Sequence, residues 1–257
     1  VAPRALLLAA VLLVAGCGAG PRQDPPASAD VAALAAQVGQ APCVVASLLI
    51  KRLPPEGQGE GELFSLRLWA PPDGRVRVLA QKMDVDFLAA LVAADGGFTV
   101  LDPRAGVWSS GRLGDPEAPA LLRDLALLVG EARHGPVPPD AVAAVAADGQ
   151  WRYRDPITGW AAEVAVDRAS GLPSGKVLRA GDGGELRRLG YERWAAFDGL
   201  QRPGVVRLAV AGDPAAYTIR MKDLDAPATV SDERMALRLP EGARQVPLAE
   251  LLDGLGR

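Results

Sequence analysis

The sequence predicts an α+β protein that is mainly β: an open antiparallel β-barrel, a half-barrel, covered by short helices and enclosing an apolar cavity. Three observations predict it. Short segments alternating apolar and charged residues recur along the chain between turns rich in Gly, Asp and Pro. Helical spacing of apolar residues is confined to a few short stretches. A sheet of about ten such strands curls, and its dry face then needs a cover that the helices supply.

Asp30 reads as the N-cap of a short helix carrying Val31, Leu34 and Val38 and closed by Gly39. Cys43–Leu53 is a β-rich apolar run ending at Pro54-Pro55. Glu62–Ala70 places Phe64, Leu66 and Leu68 on one face, and Pro71-Pro72-Asp73-Gly74 turns the chain. In Arg75–Ala80, Arg75 and Arg77 alternate with Val76 and Val78, giving one wet and one dry face. Phe87–Ala94 fits a strand or a short helix equally well. Asp95-Gly96-Gly97 turns into a strand at Phe98–Leu101, and Trp108 lies in another before Gly111. Pro116–Glu131 is a helix, with Leu121, Leu122, Leu125, Leu128 and Val129 at helical spacing; Ala141–Ala147 reads as a second helix or a turn.

From Gln150 onward the chain reads as successive hairpins. Trp151 and Tyr153 alternate with Arg152 and Arg154, and Trp160, Ala162, Val164 and Val166 alternate with Glu163 and Asp167. Strands follow at Lys176–Ala180, Glu185–Ala195, Gly204–Ala211 and Ala216–Asp223, the last with Tyr217, Ile219 and Met221 on one side. A final strand is expected at Met235–Leu239 and a closing turn of helix at Leu248–Leu255.

Charge and composition exclude several functions. The formal net charge is −3 without a basic run, which argues against a nucleic-acid partner. One histidine, His134, and two cysteines cannot build the usual zinc spacings. No nucleophile elbow accompanies His134, so a hydrolase site using His134 with Asp140 or Asp124 is disfavoured and no catalytic residue is assigned. Gly181-Asp182-Gly183-Gly184 lacks the lysine and the strand-to-helix setting of a phosphate loop, and no cofactor is expected. Cys43 opens an apolar strand and reads as a buried, inert thiol.

The N-terminus carries a different signal. Arg4 precedes an uncharged apolar run, Ala5 to Ala15, of the length of a signal-peptide core and too short to span a bilayer, which takes about 20 residues. Leu13-Val14-Ala15-Gly16-Cys17 then resembles the lipobox of bacterial lipoproteins. That resemblance implies cleavage before Cys17 and triacylation of Cys17, whose acyl chains hold the protein to a membrane. Gly18–Ala29 is rich in Gly, Pro, Ser and Ala and reads as a flexible tether. The organisation expected is a signal peptide at 1–16, lipidated Cys17 and tether at 17–29, and a single β domain at 30–257. Gly18, rather than Asp, after the lipidated cysteine implies by the same resemblance the outer membrane, facing the periplasm.

Asp167-Arg168-Ala169-Ser170-Gly171-Leu172-Pro173, the strand around Tyr191, Phe197-Asp198-Gly199-Leu200-Gln201-Arg202-Pro203, and Leu237-Arg238-Leu239-Pro240-Glu241-Gly242 follow one another in the folded part. In that order they resemble the LolA/LolB-like superfamily of periplasmic lipoprotein and lipid carriers. Each is turn chemistry, and it is their order, over roughly Asp30 to Leu252, that matches. The resemblance implies an apolar cavity for an acyl chain, lipid or lipoprotein, with Phe64, Leu66, Leu68, Trp160, Val164 and Ile219 as candidate lining residues. It also implies a membrane-delivery loop, which in the family carries an exposed leucine; here it falls at Lys82–Asp86, with Met83 or Val85 in the leucine's part and two aspartates flanking Val85. The same fold also serves as an envelope protein-binding and regulatory module, which is the alternative function.

Overall fold

The computed structural model describes residues 36–55, 60–113, 120–138, 144–145, 150–155 and 159–255. Two antiparallel meanders make up its sheet. The first contains β1 (Val44–Leu53), β2 (Glu62–Ala70), β3 (Val76–Lys82), β4 (Val85–Val92), β5 (Gly97–Asp102) and β6 (Val107–Arg112). The second contains β7 (Ala144–Val145), β8 (Trp151–Arg154), β9 (Ala161–Val166), β10 (Pro173–Arg179), β11 (Glu185–Phe197), β12 (Leu200–Val210) and β13 (Asp213–Asp225). Pairing of β1 with β13 joins them and, with β14 (Arg244–Gln245), the described residues form one 14-stranded sheet, ordered β14-β6-β5-β4-β3-β2-β1-β13-β12-β11-β10-β9-β8-β7. Among the described residues its two end strands, β14 and β7, are not paired with each other, so the barrel is open.

Alternation decides which side of each strand is dry. β1 buries Val44, Ala46, Leu48 and Ile50, while Lys51 and Leu53 are exposed. The cross-strand row Phe64–Ile50–Ile219–Val206–Tyr191 lies on that inner side, beside Leu66–Leu48 and Leu68–Ala46. One apolar cluster extends across both meanders. The segment at Phe87, equally compatible with helix or strand from its sequence, is strand β4, paired on both sides.

Helices cover the inner face. Residues 36–38 are helical and end at Gly39 in the left-handed region (α1). The long helix, α2 (Ala120–His134), buries Leu127, Leu128, Val129 and Ala132 in the same cluster as the strands. Gly135 terminates it at φ +72°, its amide donating to the Glu131 carbonyl at 3.0 Å.

Two expectations need correcting. Residues 144–145, expected in a helix or turn, pair with β8 as strand β7. Met235–Leu239 is not a strand: Asp232–Met235 is a helical turn, α3, capped by the Ser231 side chain. Ser231 at the cap, with Asp232 and Glu233 behind it, favours a helix start over the weak alternation beyond. This segment crosses the outer face, because Arg77, which accepts no place in the inner row of Val76 and Val78, donates to the Arg234 carbonyl at 2.5 Å. Arg75 also pairs with Asp232 at 3.0 Å. Met235, 1% exposed, is thereby buried outside the inner cluster, as is Trp69 beneath the Arg77 guanidinium. The chain then adds β14 (Arg244–Gln245), parallel to β6, and α4 (Leu248–Leu255), as expected at the C-terminal end.

Candidate functional site: the concave face and its helix

The six residues expected to line a cavity lie on the inner side of the sheet. Leu66, Leu68, Val164 and Ile219 are buried in the apolar cluster, and Phe64 and Trp160 are half-buried against it. Phe64 and Ile219 share one cross-strand row through Ile50. Phe64 also meets Phe87 edge to face, with ring centres 5.8 Å apart. Val164 and Trp160 belong to the other meander; Val164 is the cross-strand partner of Lys176.

Under α2 the inner face becomes ionic, which alternation alone did not reveal. Lys176, on the dry side of β10 beside Leu178, places its ammonium 3.1 Å from Glu131 Oε1 and 3.2 Å from Asp155 Oδ2. The Lys176 ammonium also sits 5.4 Å from the centre of the Tyr153 ring. Tyr191 donates its hydroxyl to Glu131 Oε1 at 3.1 Å, and Tyr153 donates to the Pro136 carbonyl at 2.6 Å. Burial opposes the charge on Lys176, but Glu131, Tyr153 and Asp155 outweigh it and raise the ammonium above its ordinary range. Burial, then the Glu131 charge, likewise pushes the Tyr191 phenol well up.

Two further cations tie α2 to the sheet. Arg187 donates from Nε to Asp124 Oδ1 at 2.6 Å, near the start of the described helix, and lies 5.7 Å from the Trp160 ring centre. Arg202, 0% exposed, donates to the carbonyls of Val38 (2.6 Å), Gly39 (3.1 Å), Ala132 (2.9 Å), Arg133 (2.6 Å) and Gln201 (2.8 Å). One guanidinium thus satisfies the orphan carbonyls at the C-terminal ends of both α1 and α2. Burial lowers its pKa to about 10, so it remains a cation at neutral pH. Arg133 adds a bond to the Pro71 carbonyl. Lys176, Arg187 and Arg202 therefore balance Glu131, Asp155 and Asp124 in formal charge beneath one helix.

This constellation is suited to holding a helix over an apolar surface. His134 and Asp124 are ten positions apart on α2, about 15 Å along its axis, so the structure separates them. Asp140 lies outside the described residues, as does Cys17. Cys43 is a free, fully buried thiol whose pKa burial raises, as expected of an inert one. Among the described residues no group of three His, Cys, Asp or Glu side chains could hold a metal.

The hairpin tip between β3 and β4 is exposed. Met83 is 86% and Val85 54% exposed. The two turn residues, Met83 and Asp84, have φ of +51° and +63°. Separately, the outer face carries a shallow groove of about 560 Å³ across β1 and β9–β13, floored by Ala165, Gly175, Gly190, Ala209 and Ala216.

An open, helix-covered antiparallel sheet of this kind defines a LolA-like fold. The chain matches no family model and no curated protein by sequence. Solved structures place the fold. A LolA superfamily protein from Nitrosomonas europaea superposes with a TM-score of 0.57 at 13% identity, covering 82% of this chain and 97% of the other. A DUF1329 family protein from Desulfovibrio piger superposes with a TM-score of 0.52 at 14% identity, covering 82% and 98%.

Proposed function

We propose that this protein is an exported lipoprotein, cut before Cys17, that carries an acyl chain, lipid or lipoprotein on the concave face of its sheet. The observation that carries the reading is the apolar cluster that runs across the inner face of both meanders, with the long helix α2 packed over it. Phe64, Leu66, Leu68, Trp160, Val164 and Ile219 are proposed to contact the ligand once α2 lifts away and opens an apolar cavity. Burial of ligand methylenes supplies about 25 cal/mol per Å² of apolar surface. A triacyl anchor on Cys17 keeps the protein at a membrane, with the periplasmic side of the outer membrane as the proposed location. Met83 and Val85, at an exposed tip, are the proposed delivery point into the bilayer.

Native mass spectrometry of the chain from residue 17 carrying Cys17→Ser, purified from a bacterial periplasm, tests the carrier reading. Lipid that co-purifies and leaves on denaturation supports it and identifies the cargo class. A second reading, a protein-binding module on the same fold, draws support from the close packing of Leu66, Leu68, Val164 and Ile219 and from the outer groove. An empty protein that also refuses added fatty acid and phospholipid selects this second reading.

A further inference from the structure

The outer face of the sheet near β1 carries a charge pattern that the chain as a whole does not. Register places Leu63 opposite Lys51, and Lys51 opposite Thr218, in a row that continues to Arg207. The next row pairs Leu49 with Arg220, and the one after pairs Ser47 with Arg67 on one side and Asp223 on the other. Lys222 sits at the β1–β13 irregularity beside them. Lys51, Arg67, Arg220 and Lys222 are all exposed, and among the described residues none of them is ion-paired.

Other cations of this face behave differently. Arg188 pairs with Glu185, Arg207 with Glu192, and Arg152 and Arg179 both with Glu163. The acids around these cations are Asp223 and Asp225 on β13 and Glu60 and Glu62 beside Leu63, of which Glu62 pairs with Arg52 and Lys82; Glu192, in the row of Arg220, pairs with Arg207. The patch is therefore net positive on a chain whose formal charge is −3. Two large apolar side chains stand beside it, Leu63 at 52% and Leu53 at 38% exposure.

We propose that this outer surface, Leu53 and Leu63 with Lys51, Arg67, Arg220 and Lys222, docks on a bilayer bearing anionic phospholipid headgroups. Unpaired cations on long apolar stems suit a headgroup layer, and the two leucines suit the acyl boundary just beneath it. The proposal rests on the anchored-lipoprotein reading in one respect, that a membrane is within reach.

The test is co-sedimentation of the chain from residue 17 carrying Cys17→Ser, without any acyl anchor. The probes are vesicles of equimolar phosphatidylglycerol and phosphatidylcholine, and vesicles of phosphatidylcholine alone. Binding to the anionic vesicles at low salt, at least about tenfold stronger than to neutral ones and lost at high salt, is expected. Lys51→Glu with Arg220→Glu should weaken it by at least about tenfold, whereas Arg168→Glu with Arg238→Glu, the same charge change elsewhere, should not. Equal losses in the two variants, or no preference for anionic vesicles, overturn the proposal. Lipid uptake measured on the same samples separates the two readings: vesicle binding without uptake sinks the carrier alone, and uptake without vesicle binding sinks this surface alone.

Discussion

Lys176 and Glu131 meet at 3.1 Å with side chains only 2% and 7% exposed, so the helix that covers the sheet is fastened to it by a buried charge pair. Asp155 completes the site from the loop after β8. Such a triad contributes little net stability when intact but is costly to break from one side. Lys176→Met should lower stability by about 3–5 kcal/mol, because it leaves Glu131 and Asp155 facing each other in a dry interior. Combining Lys176→Met with Glu131→Leu and Asp155→Leu should recover part of that loss. Urea unfolding of the two variants beside the unaltered protein checks the order; a single and triple variant of equal stability would contradict it.

The same group sets the alkaline limit. Lys176, Tyr153 and Tyr191 all have folded-state pKa values raised above their ordinary ones. A raised folded value means that the stabilisation is complete below the unfolded pKa and is lost as pH climbs towards the folded one. Stability should thus be flat near neutrality and fall from about pH 10, where unfolded tyrosine and lysine begin to lose protons. Tyr191→Phe should flatten that fall, as read from thermal midpoints across the alkaline range. An unchanged alkaline limb would show that Tyr191 is not responsible.

Arg202 serves five carbonyls, four of them at the ends of two helices, and neither lysine nor any neutral side chain offers that number of donors. Arg202→Lys should therefore cost about 2–4 kcal/mol, from carbonyls left buried without a partner. Amide hydrogen exchange should quicken first in Leu127–His134 and at Val38, and only later in β1–β3. Uniform quickening across the sheet would refute a local role.

Met83 and Asp84 occupy left-handed backbone in a two-residue turn that ordinarily favours Asn-Gly. Met83→Asn with Asp84→Gly should raise stability by about 0.5–1 kcal/mol. If the tip delivers cargo, the same change should slow lipid transfer to acceptor vesicles despite the more stable fold. Faster or unchanged transfer would remove Met83 from the proposed delivery point.

Much of the sheet was legible because its strands alternate and its turns announce themselves. Phe64, Leu66 and Leu68 could be assigned to one face, and Ile219 to the matching one, because parity survives regular pairing. Trp160 and Val164 were found the same way. Parity could not announce Lys176, Arg187 or Arg202, since a cation on a dry side reads as an error in the pattern until its partner from a distant helix is known. Their carboxylates, Glu131 and Asp124, come from α2, tens of residues away in sequence. The outer crossing at Met235 is hidden in the sequence for a related reason. An apolar residue buried on the far side of a sheet looks, in sequence, like one more strand position.

The joining of the two meanders through β1 and β13 has a kinetic consequence. Val45 pairs with Asp225 and Leu53 with Ala216, partners separated by most of the chain. If the polypeptide is exported N-terminus first, β1 emerges long before its second neighbour exists. Until β13 arrives, the first meander presents a bare edge strand rich in Val, Leu and Ile, a template for pairing with another chain. Closing so long a loop is also slow, since its entropy is lost before the new contacts form. Maturation of this fold should therefore be limited by one late event, the zipping of β13 along β1, and sensitive to anything that shields that edge in the interval.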